Sequence, residues 1–187
     1  AGTDLGRRYA GQAAALRFET GIDRSTEPMA MIVENMEDVG IRNDAQVVLI
    51  NMYLALGDQS AAAALTAQVL DRDPFHVDAL VLRALGKIRA NDLSGAVNDL
   101  RTALDQAPRD VRALLILANA QQRSGNVELA EQHLAQAVEV SNAAPQAAIP
   151  YARFQMGRGN MSAAQRVLND SLVRTLNIEV AALLAQI

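Results

Sequence analysis

The residues of this chain that could do chemistry are few and scattered. It holds two histidines, His76 and His133, and no cysteine. Histidine suits general acid–base work and zinc ligation near neutral pH, but both tasks need converging partners. His76 follows Asp73-Pro74-Phe75 in a linker, and His133 falls 57 residues later on the outer side of a helix. A capping or surface role is expected for both. The absence of cysteine removes a thiolate nucleophile, a disulfide framework and a thiolate-ligated zinc site. A serine nucleophile would lack a base. Two acidic clusters, Glu34-Glu37-Asp38 and Asp71-Asp73-Asp78, are the candidate cation sites. The second lacks the glycine and terminal glutamate of a calcium loop, and both read as helix-end solvation. Gly157-Arg158-Gly159 is the nearest approach to a phosphate loop, but Gly159 belongs to a repeat column described below. No catalytic residue, metal site or cofactor is therefore expected, and the chain is not read as an enzyme.

The elements that would carry any site are helices. Of 187 residues half are apolar, yet only 3% are aromatic and none is Trp. Alanine and leucine favour helix, whereas a sheet protein would lean on β-branched and aromatic residues. Charged residues make up 20%, so the apolar fraction suffices for a core. A net charge of −4 and a pI near 5.2 argue against nucleic acid, whose phosphates call for a basic surface. No uncharged stretch is longer than the 13 residues of Ala45 to Gly57. That is short of the ~20 that span a bilayer, so no integral membrane segment is expected. The chain opens at Ala1-Gly2 and closes within an apolar run ending at Ile187. It reads as a piece of a longer protein or a processed form, from which a signal peptide or lipid anchor could be missing. The bacterial cytoplasm and periplasm both stay open.

Sliding the sequence against itself by 34 residues stacks like upon like. Ala62, Ala96, Ala130 and Ala164 form one column; Gly57, Asn91, Gly125 and Gly159 form another. The latter are followed by Asp58, Asp92, Asn126 and Asn160. Further columns are Leu70, Leu104, Val138 and Leu172; Thr66, Leu100, Leu134 and Leu168; and Ile50, Ala84, Ala118 and Ala152. A Gly or Asn can take the left-handed conformation that ends a helix. The Asp or Asn after it can cap the next helix. Small residues let two helix axes approach, and the Leu/Val positions give the second helix one apolar stripe. Pro74 and Pro108 would stop that helix. Met29, Met31, Met36 and Met52 cluster early and read as adaptable core filling.

These columns resemble the tetratricopeptide repeat family. The match runs through Leu80, Ala84, Ala96, Leu100, Ala103 and Pro108, and again through Leu114, Leu117, Ala118, Gly125, Ala130, Leu134 and Ala137. The resemblance implies an all-α fold, a right-handed α–α superhelix built as a solenoid of helix–turn–helix pairs. Four units are expected at 43–76, 77–110, 111–144 and 145–178. Residues 1–42 would form a degenerate, cap-like pair, with helices near Leu5–Thr20 and Glu27–Val39, and 179–187 a truncated further helix.

In the family the first helices of successive pairs line a groove. Carried over by position, the groove residues would be Asp44, Val47 and Asn51, with Leu54, in the first of the four units. The second unit would supply Asp78, Val81, Leu85 and Arg89, with Ile88. The third would supply Arg112, Leu115, Asn119, Gln122 and Arg123, and the fourth Arg153 and Met156, with Gln146 and Ile149. Asp44 and Asp78 come early and Arg112, Arg123 and Arg153 late, a gradient able to orient a peptide with an acidic end. The five-residue clamp by which chaperone adaptors hold a C-terminal carboxylate is not matched, since its places hold Val47, Asn51, Leu82, Arg112 and Ile116. The function implied is a non-catalytic scaffold binding a partner protein or peptide. The alternative is a bacterial envelope assembly factor, for secretion, pilus or polysaccharide export. It would act by self-association through 180–187 or by packing of that terminal helix against the rest of the chain, since Val180, Ala181, Leu183, Leu184 and Ile187 are expected to leave apolar surface.

Overall fold

The computed structural model describes residues 3–187, all of whose regular structure is helical. The contacts divide the chain into two compact units, one ending at Arg83 and the other running from Ala84 to Ile187, so the division falls inside a helix.

The first unit holds α1 (Asp4–Glu19), α2 (Glu27–Glu34), α3 (Val39–Ala55), α4 (Gln59–Arg72) and the start of α5 (Val77–Arg89). Phe18, Met29, Val33, Leu49 and Met52 form its core, with α1 and α2 laid against α3 and α3 against α4. Met36 is buried as well, whereas Met31 lies in solvent. α2 stops at Glu34, short of the expected Val39. The cause is local. Asn35 donates its side-chain amide to the Met31 carbonyl at 2.7 Å, and the Asn35 and Met36 amides fold back to Ile32 and Val33. Arg42 then takes the Met36 carbonyl with its guanidinium. Asp38 caps a new helix by accepting from the Ile41 amide at 2.8 Å. α3 thus begins one turn ahead of Asn43, the periodic starting place. Asp4, in the first turn of α1, accepts from the Asp38 and Glu37 amides at 2.7 and 3.1 Å, which ties the α2–α3 link to α1.

The second unit continues with α6 (Leu93–Gln106), α7 (Val111–Arg123), α8 (Val127–Val140), α9 (Pro145–Gly157), α10 (Met161–Arg174) and α11 (Ile178–Leu184). Its helices pack in sequence, α6 on α7, α7 on α8, α8 on α9, α9 on α10 and α10 on α11. The alanine columns sit where the axes meet: Ala84, Ala96, Ala118, Ala130, Ala152 and Ala164 are all buried. Leu100, Leu134 and Leu168 fill the space beside them.

The turn column behaves as its residue types dictate. Gly57, Asn91, Gly125 and Gly159 all have positive φ, between 61 and 82°. The capping column divides. Asp58 and Asp92 accept from the Ala61 and Gly95 amides, both at 2.9 Å. Asn126 and Asn160 make no such cap. Their amides instead donate to buried Gln121 and Gln155 at 2.8 and 2.9 Å, because an Asn side chain carries a donor that an ionised Asp lacks.

The end of the chain differs from expectation. Val180 and Leu183 are buried with Ile149, Val167 and Leu168, and Leu184 packs against the same cluster. α11 is amphipathic and already uses its apolar stripe on its own unit. The exposed aliphatics lie about the α10–α11 junction: Val173 near the end of α10 (89%), Leu176 in the link (100%) and Ile178 at the first position of α11 (86%).

Candidate functional site

The residues assigned to a groove fall on α3 and α5 in the first unit and on α5, α7 and α9 in the second, and they do not share one environment. In the first unit Asp44 and Asn51 are exposed, and Asp78 is half-buried. Val47 is only 9% exposed and Val81 1%, so both serve the core and offer a ligand no surface. α3 packs against α1, α2 and α4, which leaves little of Val47 uncovered. His76 joins this group as a cap. Its Nδ1 accepts from the Ala79 amide at 3.4 Å and its Nε2 lies 3.4 Å from the Asp44 carboxylate.

In the second unit Leu85, Leu115 and Met156 are half-buried, and Arg89, Asn119, Gln122, Arg123 and Arg153 are exposed. Ile88 and Ile149 are buried. Arg112 and Leu115 come together at a groove of about 490 Å³ between α7 and α9, closed by Asp110, Val111, Ile116 and Gln146. Its floor is aliphatic. Asp110 accepts from the Ala113 amide at 3.0 Å and so caps α7, while Arg112 extends to 3.3 Å from the same carboxylate. Opposite them, Pro150 inside α9 has no N–H, which deprives the Gln146 carbonyl of its α-helical donor.

The three late arginines are not equivalent. Arg123 donates to the Ile88 carbonyl and the Asn91 side chain at 3.0 and 3.1 Å. Its guanidinium is committed to bracing the left-handed Asn91 turn. Arg153 meets Glu179 of α11 at 3.5 Å, an exposed pair of the kind that yields readily to a competing anion. Arg112 alone stands on the groove wall.

Several polar contacts escape a reading by columns. In the second unit Lys87 meets buried Asp99 at 2.8 Å, and Gln155 donates to Glu131 at 2.7 Å while Arg158 approaches the same carboxylate. In the first, Arg72 donates to buried Asn43 and Gln46. The one available signal was the 34-residue spacing of Gln121 and Gln155, polar residues on a face that is otherwise apolar. His133 is half-buried on α8. Desolvation, reinforced by nearby Arg101 and opposed by a hydrogen bond with Gln136, lowers its pKa and keeps it neutral at pH 7. Among the described residues no group of three His, Asp or Glu side chains could hold a metal ion, and no helix is long and apolar enough to cross a membrane.

No curated protein sequence matches the chain. Solved structures do. A tetratricopeptide repeat protein from Parabacteroides merdae is 17% identical with a TM-score of 0.68, covering 96% of this chain and 72% of its own. MamA from Desulfovibrio magneticus is 15% identical with a TM-score of 0.65, covering 89% and 93%. A thermophilic tetratricopeptide repeat protein from Thermus thermophilus is 20% identical with a TM-score of 0.61, covering 77% and 80%. At these identities the likeness is one of fold. The tetratricopeptide repeat pattern itself matches residues 87–142 and 124–187, more than half of the sequence. With its alanine columns buried at helix crossings and its Gly/Asn turns left-handed, the chain belongs to the tetratricopeptide repeat family.

Proposed function

We propose that this chain is a non-catalytic scaffold whose α7–α9 groove holds a peptide segment of a partner protein. The observation that carries the reading is the groove itself: an aliphatic trough of about 490 Å³ on first helices of two successive repeats, with Arg112 at its wall and Gln146 at its lip. A half-buried apolar floor with polar groups on its rim suits a peptide that inserts aliphatic side chains while a carboxylate meets Arg112. Asn119, Gln122 and Arg153 extend the polar rim on the same two helices. Leu85 and Arg89 on α5, in the same unit, belong to the proposed surface as half-buried and exposed positions.

The test is a photo-reactive side chain placed at Ile116 or Gln146, compared with one at Gln132 on α8, in the cell that makes the protein. One shared partner captured at 116 and 146 and not at 132 supports the groove. Equal capture at all three, or capture at 132 alone, overturns it.

A second reading, self-association in an envelope assembly role, is favoured by Val173, Leu176 and Ile178, which lie in solvent about the α10–α11 junction. Large exposed aliphatics in a cluster mark contact surfaces. Light scattering on Leu176→Glu is the measurement. A dimer that the substitution dissociates supports this reading, and a monomeric wild type removes it. Leu183 is unsuitable for this test because it is buried.

A further inference from the structure

A second cavity lies in the first unit, and its lining has a different chemistry from that of the α7–α9 groove. It measures about 190 Å³ and is enclosed by α1, α2 and the start of α3. Met29, Met36, Ile41 and Val48 supply the apolar wall, and Gly11 opens one side. A Cβ there would stand 3.3 Å from the Met29 sulfur, so the Met29 side chain would have to shift slightly to admit one. At the edge of this apolar space stand two opposite charges, Arg8 from α1 and Asp44 from α3, with Gln12 beside them. The Asp44 side chain keeps 75% of its surface in solvent although His76 lies 3.4 Å away.

We propose that this cavity binds a free apolar α-amino acid. Size decides the first half of the assignment. A cavity of ~150 Å³ takes a benzene ring, so about 190 Å³ has room for one branched aliphatic or phenyl side chain. Methionine walls adapt to either shape. Charge decides the second half. A lone carboxylate would be drawn to Arg8 but repelled by Asp44, and a lone amine would meet the reverse. A zwitterion satisfies both at once, with its carboxylate on the guanidinium, its ammonium on Asp44 and its side chain in the cavity. The inference is independent of the α7–α9 reading, because it uses neither that groove nor a partner protein.

Isothermal titration of the full chain with L-phenylalanine, L-leucine and L-methionine is the test, alongside two probes of the charge argument. N-acetyl-L-phenylalanine amide keeps the side chain but loses both charges. Gly-Phe separates ammonium from carboxylate by an extra residue. Saturable binding of at least one free amino acid is expected, with both probes at least tenfold weaker than L-phenylalanine or silent. Arg8→Gln and Asp44→Asn, both at exposed positions, should each weaken binding about tenfold or more while the helical circular dichroism stays unchanged. The assignment is overturned if none of the three amino acids binds saturably, if either probe binds as well as L-phenylalanine, or if both variants bind like wild type.

Discussion

Single residues show where the repeat's regularity is broken and what each break should cost. Ser171 is the sharpest case. It occupies a column that elsewhere holds Val69, Ala103 and Ala137, all fully buried, and its hydroxyl is buried with no hydrogen-bond partner. An unsatisfied buried hydroxyl destabilises a fold, so Ser171→Ala should stabilise the protein by about 1 kcal/mol in urea unfolding. Asp4 is the opposite case, a polar residue with more partners than usual. Hydrogen bonds from the Asp38 and Glu37 amides, aided by Arg7, hold its pKa below the ordinary 3.8. A lowered carboxylate pKa stabilises above the unfolded value, and the contribution is lost as pH falls through the folded one. Asp4→Asn should therefore be less stable than wild type at pH 7, with the gap closing in acid below pH 3.8. Thermal melts across that range would show it, and a gap unchanged in acid would refute it. Neither residue was legible as special in the sequence. Ser171 has an ordinary identity for a helix, and the partners of Asp4 lie more than thirty residues away in a link whose shape depends on where α2 ends.

Helices and turns were the legible scale. Gly57, Asn91, Gly125 and Gly159 announce left-handed turns because few other residues take that conformation cheaply, and all four take it. The alanine columns announce helix crossings for an equally local reason. Capping was only half legible, since Asn can turn its amide towards a neighbouring Gln where Asp cannot. α2 is shorter than its sequence pattern because a side-chain-to-carbonyl bond at Asn35 outweighs helix propensity. The groove was partly legible: a positional rule found Arg112 and Leu115 but also named Val47 and Val81, which the packing of the first unit buries. The register of the repeats can be tested directly. Ala130→Leu forces extra volume into a closed contact and should cost about 1–3 kcal/mol, while Gln122→Leu on an exposed face should cost little. Equal costs in parallel denaturant titrations would mean that these two columns are misplaced.

For the molecule as a whole, the family's architecture implies stability that is graded along the chain, because each repeat draws its support from its neighbours in sequence. α1 buries only Gly11 and Phe18 along 16 residues, whereas α7 buries six residues in 13. Hydrogen exchange should accordingly be fastest in α1 and α2 and slowest in α7 and α8; uniform protection throughout would contradict this. The stretch leading into α11 is exposed in a further sense. Thr175 and Asn177 are both extended, with φ of −141 and −99°, and Arg174 precedes them in solvent. Proteases bind substrates as extended strands, and Thr175 and Asn177 are already extended, so only the last turn of α10, ending at Arg174, must fray for trypsin to cut Arg174–Thr175. Brief digestion should cut there first. The cut would free α11 and strip the cover from Ile149, Val167 and Leu168, turning a silent bond cleavage into the unveiling of a new adhesive face.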